Sequence, residues 1–391
     1  MRYLLLRLKR FCGFITGLVF FIGGILKLMD PVGAGLVMGE YFDFMNLKFL
    51  AFASKPAGVA FALAEAIIGT ALITGVNRKS YGIAALAFQG FFTLLTLALV
   101  IFNPQMDCGC FGEAIHLTHM ETFLKNIVLL VLLCIYLFPA KVLGVHKKHK
   151  RTSFTIVSLS VIAFAAYSWM YIPLIDFTDY RAGSLLKAAE SNSVESEDMY
   201  EAVFIYEKDG FEVDFDLEHL PDSSWTFVRA ETRKIMEMEY DGMIDLSISS
   251  PDGIYEDELA AQGKVMVVSV YNTDLTARGW ESIAEFMLNA EAAGFSTLVL
   301  VSKMPDVYLD FPVYLADYKT LLAMNRSNGG VTYFNGGFLI RKWAARARPD
   351  LDRLVEMSQE DATETVIYHN TKGSLAFQGF LLYVFAVMLL I

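Results

Sequence analysis

Apolar residues in this chain fall into six blocks, 11–29, 57–75, 83–102, 127–143, 154–175 and 373–391, with the polar residues gathered between them. A bilayer core of ~30 Å takes about 20 residues of helix, so each block predicts a membrane-spanning helix. The flanks of the blocks are unequal. Arg2, Arg7, Lys9 and Arg10 stand at the first, Arg78 and Lys79 separate the second and third, and Lys147, Lys148, Lys150 and Arg151 separate the fourth and fifth. Basic loops stay on the cytoplasmic side, which predicts a cytoplasmic N-terminus. The alternate loops, 30–56 and 103–126, carry Asp30, Glu40, Asp43, Asp107, Glu113 and Glu121 and are expected outside, together with the whole of 177–372. The first block has full spanning length and no small-residue cleavage site after it, so it reads as a retained helix and not a signal peptide. Within 30–56, three glycines and an aromatic run at 41–52 fit either an interfacial helix or a packed cap over the bundle.

Between the fifth and sixth blocks the pattern changes. Residues 177–200 are polar and predict a linker, and 359–372 predict a second one. From 201 to 358 short apolar runs predict strands at 203–206, 211–217, 225–230, 243–249, 265–271 and 295–302, with helices near 279–293, 318–325 and 349–357. A hairpin is expected at 331–343 around Asn335-Gly336-Gly337. Strand, helix, strand, helix, hairpin, helix is the order of a thioredoxin-like α/β domain. The fold class predicted is therefore a multi-pass α-helical bundle carrying an extracytoplasmic α/β domain. Its parts are a four-helix module at 1–145, a fifth helix at 146–176, the linker, the domain at 201–358, the second linker and a C-terminal span at 373–391.

Composition adds two constraints. With 55% hydrophobic residues the chain of 391 is too apolar for a soluble globule, which makes the lipid bilayer its first partner. The net charge of −11 offers no basic face for nucleic acid.

Four cysteines are too few to staple a fold, so the close pair Cys108 and Cys110 in Asp107-Cys108-Gly109-Cys110-Phe111-Gly112 needs its own reason. A disulfide across one residue is strained, and Gly109 relieves part of that strain. Strained disulfides are readily reduced, so the pair could exchange electrons with a periplasmic client or redox partner. The bland alternative is a static turn. A second reading is a metal site of Cys108, Cys110, His116 and His119, a donor set suited to zinc or copper. Charged residues inside spans are functional candidates by default. Glu65 sits in the middle of the second span and Lys27 near the outer end of the first; a contact between them, or an ammonium beneath the thiols, would have chemical use. Cys12 and Cys134 read as packing residues. No cysteine occurs from 177 to 372, so the α/β domain performs no dithiol chemistry of its own. That leaves a non-enzymatic scaffold or accessory role as the rival to redox function.

Several runs resemble the DoxX/MauE group of bacterial membrane proteins: residues 23–31, then Ala64-Glu65, then 107–112, then Leu117-Thr118 and Thr122-Phe123-Leu124-Lys125-Asn126. The resemblance covers about 8–145, and 200–345 is similar to the thioredoxin-like tail fused to this module in some members. It implies a four-helix membrane module linked to methylamine utilisation and supporting disulfide formation or electron transfer for a periplasmic enzyme. Cys108 and Cys110 would be its redox pair, Lys27 and Glu65 its supporting polar residues, and a quinone its possible electron acceptor. The tail departs from the active pattern. It has Tyr271-Asn272-Thr273-Asp274 where a Cys-x-x-Cys would stand, and Asn328-Gly329-Gly330 where a proline would.

Overall fold

The computed structural model describes residues 2–106, 108–138, 148–188, 200–208, 211–215, 221, 225–234 and 242–390. Asp107 lies outside the described residues, as does most of the stretch expected to be the first linker. Among the described residues, six helices are long and apolar enough to cross a membrane. They are α1 (Arg2–Met29), α3 (Ser54–Thr74), α4 (Arg78–Phe102), α5 (His119–Leu137), α6 (Lys148–Met170) and the C-terminal helix Ala362–Leu390. The intervening α2 (Pro31–Phe44) is short.

Small residues set the bundle. A Cβ on Gly24 would lie 2.6 Å from the Ala66 nitrogen, and one on Gly69 would lie 2.5 Å from the Phe21 nitrogen. Backbones of α1 and α3 therefore meet directly, the usual device where apolar lipid gives helices no hydrophobic reason to associate. Helices α4 and α5 pack on one side of this pair through Phe20, Leu72, Leu129 and Leu133. Helix α6 and the C-terminal helix pack on the other, with Val157, Val161, Phe377 and Val384 against Phe21 and Ile25.

The 30–56 loop divides between the two readings: helix α2 packs as a cap over the bundle, whereas the turn at Lys48–Ala53 has no buried residue and leaves Phe49 and Phe52 exposed. Asp30 caps α2 by accepting from the Val32 and Gly33 nitrogens, and Gly33, Ala34, Gly35, Tyr41 and Phe42 are buried. Gly35 lies against the start of α3, where a Cβ would come 2.8 Å from Lys55 Cα.

The soluble part is mixed α/β. Seven strands run in the order β6-β2-β11-β10-β7-β8-β9, where β2 is Leu185–Leu186, β6 Met243–Ile244, β7 Lys264–Val270, β8 Ser296–Val301, β9 Tyr314–Leu315, β10 Gly330–Asn335 and β11 Phe338–Trp343. Strands β7 and β8 are parallel and joined by α7 (Ala277–Ala292), while β10 runs antiparallel to β7. Strand β7 carries an unbroken apolar run, Val265–Val268, because both its faces are covered. Met266, Val268 and Val270 face Trp280, Ile283 and Phe286 of α7, and Val265 and Val267 face Leu321 and Met324 of α8 (Tyr318–Met324).

Three expected boundaries need correction. Residues 177–188 are not linker: Thr178, Ser184, Leu185 and Leu186 are buried, and β2 sits between β6 and β11. A two-residue strand is too short for alternation to reveal. The expected single domain at 201–358 is divided, since β3 (Tyr200–Lys208), β4 (Phe211–Phe215) and β5 (Thr226–Lys234) form a separate three-stranded sheet. Residues 362–372 are helix, continuous with the last span and capped by Asp361, which accepts from the Glu364 nitrogen at 2.9 Å. Hydropathy marks only where such a helix enters lipid, not where it starts.

Candidate functional site

The Cys-Gly-Cys turn lies at the α/β-domain end of the bundle. After α4 ends, Cys110–Glu113 form a short strand, β1, laid against the last turn of α1. Gly109 has φ +56° and Gly112 φ +60°, left-handed values that glycine takes without strain. A Cβ on Gly109 would run into Val37 Cγ1 of α2, so that position requires glycine for space as well. Tyr41 donates its hydroxyl to the Cys108 carbonyl at 2.7 Å. Burial above all, then the thiol groups of Cys110 and Cys108, hold the Tyr41 hydroxyl well above its ordinary pKa, so it stays a donor. On the far side Thr118 and Glu121 form a capping box that starts α5.

Cys108 is buried and Cys110 half-buried, and no disulfide joins them in this structure. They line one internal cavity of about 70 Å³ together with Tyr41, Lys27, Glu65 and Lys125. Lys27 Nζ and Glu65 Oε2 are 2.5 Å apart, so the first of the two arrangements open to Lys27, a contact across the first two spans, is present. Lys125 Nζ stands 4.8 Å over the ring of Phe111, within the same turn. The wall opposite is apolar, with Phe61, Phe88 and Phe92, broken by a buried amide strip. There Gln89 Nε2 donates to the Asn126 carbonyl at 3.2 Å and Asn126 Nδ2 donates to Thr96 Oγ1 at 3.1 Å, tying α4 to α5.

His116 and His119 do not join the thiols. They line a different cavity with Met106 and Met120, and His119 Nε2 is 3.0 Å from the Met106 carbonyl. Among the described residues no three His, Cys, Asp or Glu side chains converge as metal ligands. Cys12 is buried among α1, α4 and α5, whereas Cys134 is exposed on the bundle surface.

The α/β domain is fastened to this turn by ion pairs that sequence reading missed. Arg326 Nη2 lies 2.9 Å from Asp30 Oδ2, the cap of α2, and 3.1 Å from Glu113 Oε1, the last residue of β1. Its Nη1 donates to the Leu322 carbonyl, and Lys342 Nζ reaches Asp176 Oδ2 at 2.5 Å. Burial pulls Lys342 below its ordinary pKa while Asp176 acts the other way. Beside Arg326, the Asn272 nitrogen donates to Asn328 Oδ1 and Asn328 Nδ2 donates to the Asn272 carbonyl, closing the loops after β7 and before β10 on each other. No pattern of hydrophobicity marks a lone arginine in a loop, so the only signal was the coincidence of Asp30 and Glu113 in loops expected on one face.

Six spans, a cavity inside the bundle and an α/β domain inserted before the last span define a multi-pass helical membrane protein. Residues 3–139, which hold α1 to α5, match the family described as Methylamine utilisation protein MauE. Residues 200–237, the separate three-stranded sheet, match a family described as Domain of unknown function (DUF8463). No curated protein and no solved structure matches the chain.

Proposed function

We propose that the protein is a membrane-embedded thiol–disulfide carrier in which Cys108 and Cys110 hold and release an electron pair at the periplasmic face of an inner membrane. The observation that carries this reading is the placement of both sulfurs on one cavity with two ammonium groups, Lys27 and Lys125. In the oxidised form a client thiolate would attack Sγ of Cys110, the more accessible sulfur, and Cys108 would leave as thiolate. The client's second thiol then displaces Cys110, so the client gains a disulfide and the pair holds two thiols. Reoxidation passes two electrons and two protons to a two-electron acceptor. Family resemblance implies a quinone, and the aromatic and amide lining suits a ring. Yet a free volume of about 70 Å³ is well below the ~300 Å³ of enclosed organic-ligand sites, too little to admit a quinone ring.

The roles of the two lysines separate on geometry. Lys27 is neutralised by Glu65 at 2.5 Å, whereas the contact of Lys125 is an aromatic face. Lys125 therefore offers its charge to the cavity, while Lys27 with Glu65 braces α1 against α3. The α/β domain, whose element order is thioredoxin-like and which lacks cysteine, docks a client or steadies the turn. A link to methylamine utilisation rests on the family's description alone.

Thiol trapping in cells tests the proposal. Cys108 and Cys110 should shift between oxidised and reduced states when reductant is added, and Cys108→Ser should accumulate a mixed disulfide through Cys110. A pair that never changes state, with Cys→Ser variants fully functional, would establish the rival reading of a scaffold. The ion-pair docking of a cysteine-free domain onto the turn is what favours that rival.

A further inference from the structure

A second cavity, of about 390 Å³, opens where α6, the C-terminal helix and the α/β domain meet. Arg341, Lys342, His369, Lys372 and Tyr167 contribute to its wall, and Asp176 is an acid on it. Asp176 is already bound by Lys342. Among the described residues the close contacts of Arg341 and Lys372 are aromatic faces, Trp343 at 4.8 Å and Tyr368 at 5.7 Å. Glu360, whose charge acts on Arg341, is held by Arg353 at 2.8 Å. The wall thus carries a surplus of positive charge in a chain whose net charge is −11. Burial, with Arg353 adding to it, lowers Arg341 to about 10, and the charge of Glu360 only partly opposes this.

The level of this cavity follows from the two helices beside it. At one end Lys150 Nζ donates to the Met388 carbonyl and Ser153 Oγ to the Val387 carbonyl. At the other, Gly373 lies against the Leu174 carbonyl. The span Lys150–Met170 has 21 residues, about 31 Å of helix, which matches a bilayer core of ~30 Å. Tyr167, Trp169 and Tyr171 close it with aromatic residues of the kind found at headgroup level. The cavity therefore stands at the lipid–water boundary on the α/β-domain side, beside lipid.

We propose that this cavity is a binding site for the phosphate headgroup of an anionic phospholipid, with Arg341 and Lys372 as its cations and the surrounding bilayer as its source. Its volume falls in the usual range for enclosed ligands. The proposal is independent of the thiol chemistry.

Native mass spectrometry of the full-length protein tests it, with delipidated protein titrated with phosphatidylglycerol or phosphatidylcholine. Phosphatidylglycerol should bind tightly and phosphatidylcholine weakly. Losing one cation near the surface is worth about fivefold, so Lys372→Gln should weaken phosphatidylglycerol about fivefold and Arg341→Gln/Lys372→Gln about thirtyfold. Arg278→Gln/Lys319→Gln, with the same change of net charge elsewhere on the domain, should leave binding unchanged. Lys372 is exposed, so its single variant keeps the test open if the double variant misfolds. Equal binding of both lipids, equal loss in the control pair, or displacement of phosphatidylglycerol by millimolar inorganic phosphate would each overturn the proposal, the last by assigning the site to a soluble anion.

Discussion

Replacing Arg326 by alanine leaves Asp30 and Glu113 facing each other across the place its guanidinium held. Both carboxylate oxygens touch the same Nη2, at 2.9 and 3.1 Å, so they lie no more than about 6 Å apart. At an effective dielectric of about 20, two unit charges at that separation repel by about 3 kcal/mol. This agrees with the low end of the ~3–5 kcal/mol found when one partner of a buried ion pair is removed. Glu113 is 30% exposed, which lets water soften the effect and favours that low end. The other fastening, Lys342–Asp176, survives, so the expected change is looser docking and not global unfolding. Hydrogen exchange in lipid nanodiscs reads it: amides at 110–113 and 327–331 should exchange about a hundredfold faster, the factor that ~3 kcal/mol gives. Adding Glu113→Gln removes one of the repelling charges and should restore most of the protection. Unchanged exchange in Arg326→Ala, or a further loss on adding Glu113→Gln, would refute the idea that this arginine ties the domain to the turn.

Lys125→Met should slow alkylation of Cys110 by an anionic reagent relative to a neutral one, while Lys27→Met, whose charge Glu65 offsets, should leave that ratio unchanged. Lys27→Met should lower the thermal midpoint by leaving Glu65 unpaired in the bundle, and Lys27→Met/Glu65→Leu should regain it, since an apolar pair replaces a buried ion pair at little cost. Gly109→Ala should cost about 2–4 kcal/mol, from a left-handed backbone and overlap with Val37; Val37→Ala should return only the overlap part, as followed by thermal melting. Burial first, and then Asp245, raises the Asp257 carboxyl above its ordinary pKa, although its bond from the Ile248 nitrogen opposes this. A raised folded value means stability that is present at low pH and lost as pH rises through it. The thermal midpoint of Asp257→Asn should therefore fall less than that of the parent between pH 4 and pH 7.

The spanning helices were legible because lipid imposes one requirement, an apolar run of sufficient length, that no tertiary contact overrides. The Lys27–Glu65 contact was legible for the related reason that a charge in a span must find a partner. What hydropathy could not show was helix outside lipid: the turns at 362–372 are held by the Asp361 cap, and α2 is held by Asp30 and by glycines fitted to α3. Strand β2 escaped because Leu185 and Leu186 gain their partners from residues far along the chain. At the site, Cys108 and Cys110 announced themselves by spacing. Lys125 did not, as a lysine near the start of a span reads as a boundary charge. Arg326 could not, because its function depends on two acids about 200 and 300 residues away in sequence.

The α/β domain leaves the bilayer on α6 and returns on the C-terminal helix, and those two helices run side by side along their length. A domain held on so narrow a base has almost no orbit, and its local concentration at the cysteine turn is set by covalent chain and not by expression level. Weak contacts then suffice to keep it seated, and it can lift and resettle without being lost to the surrounding solution.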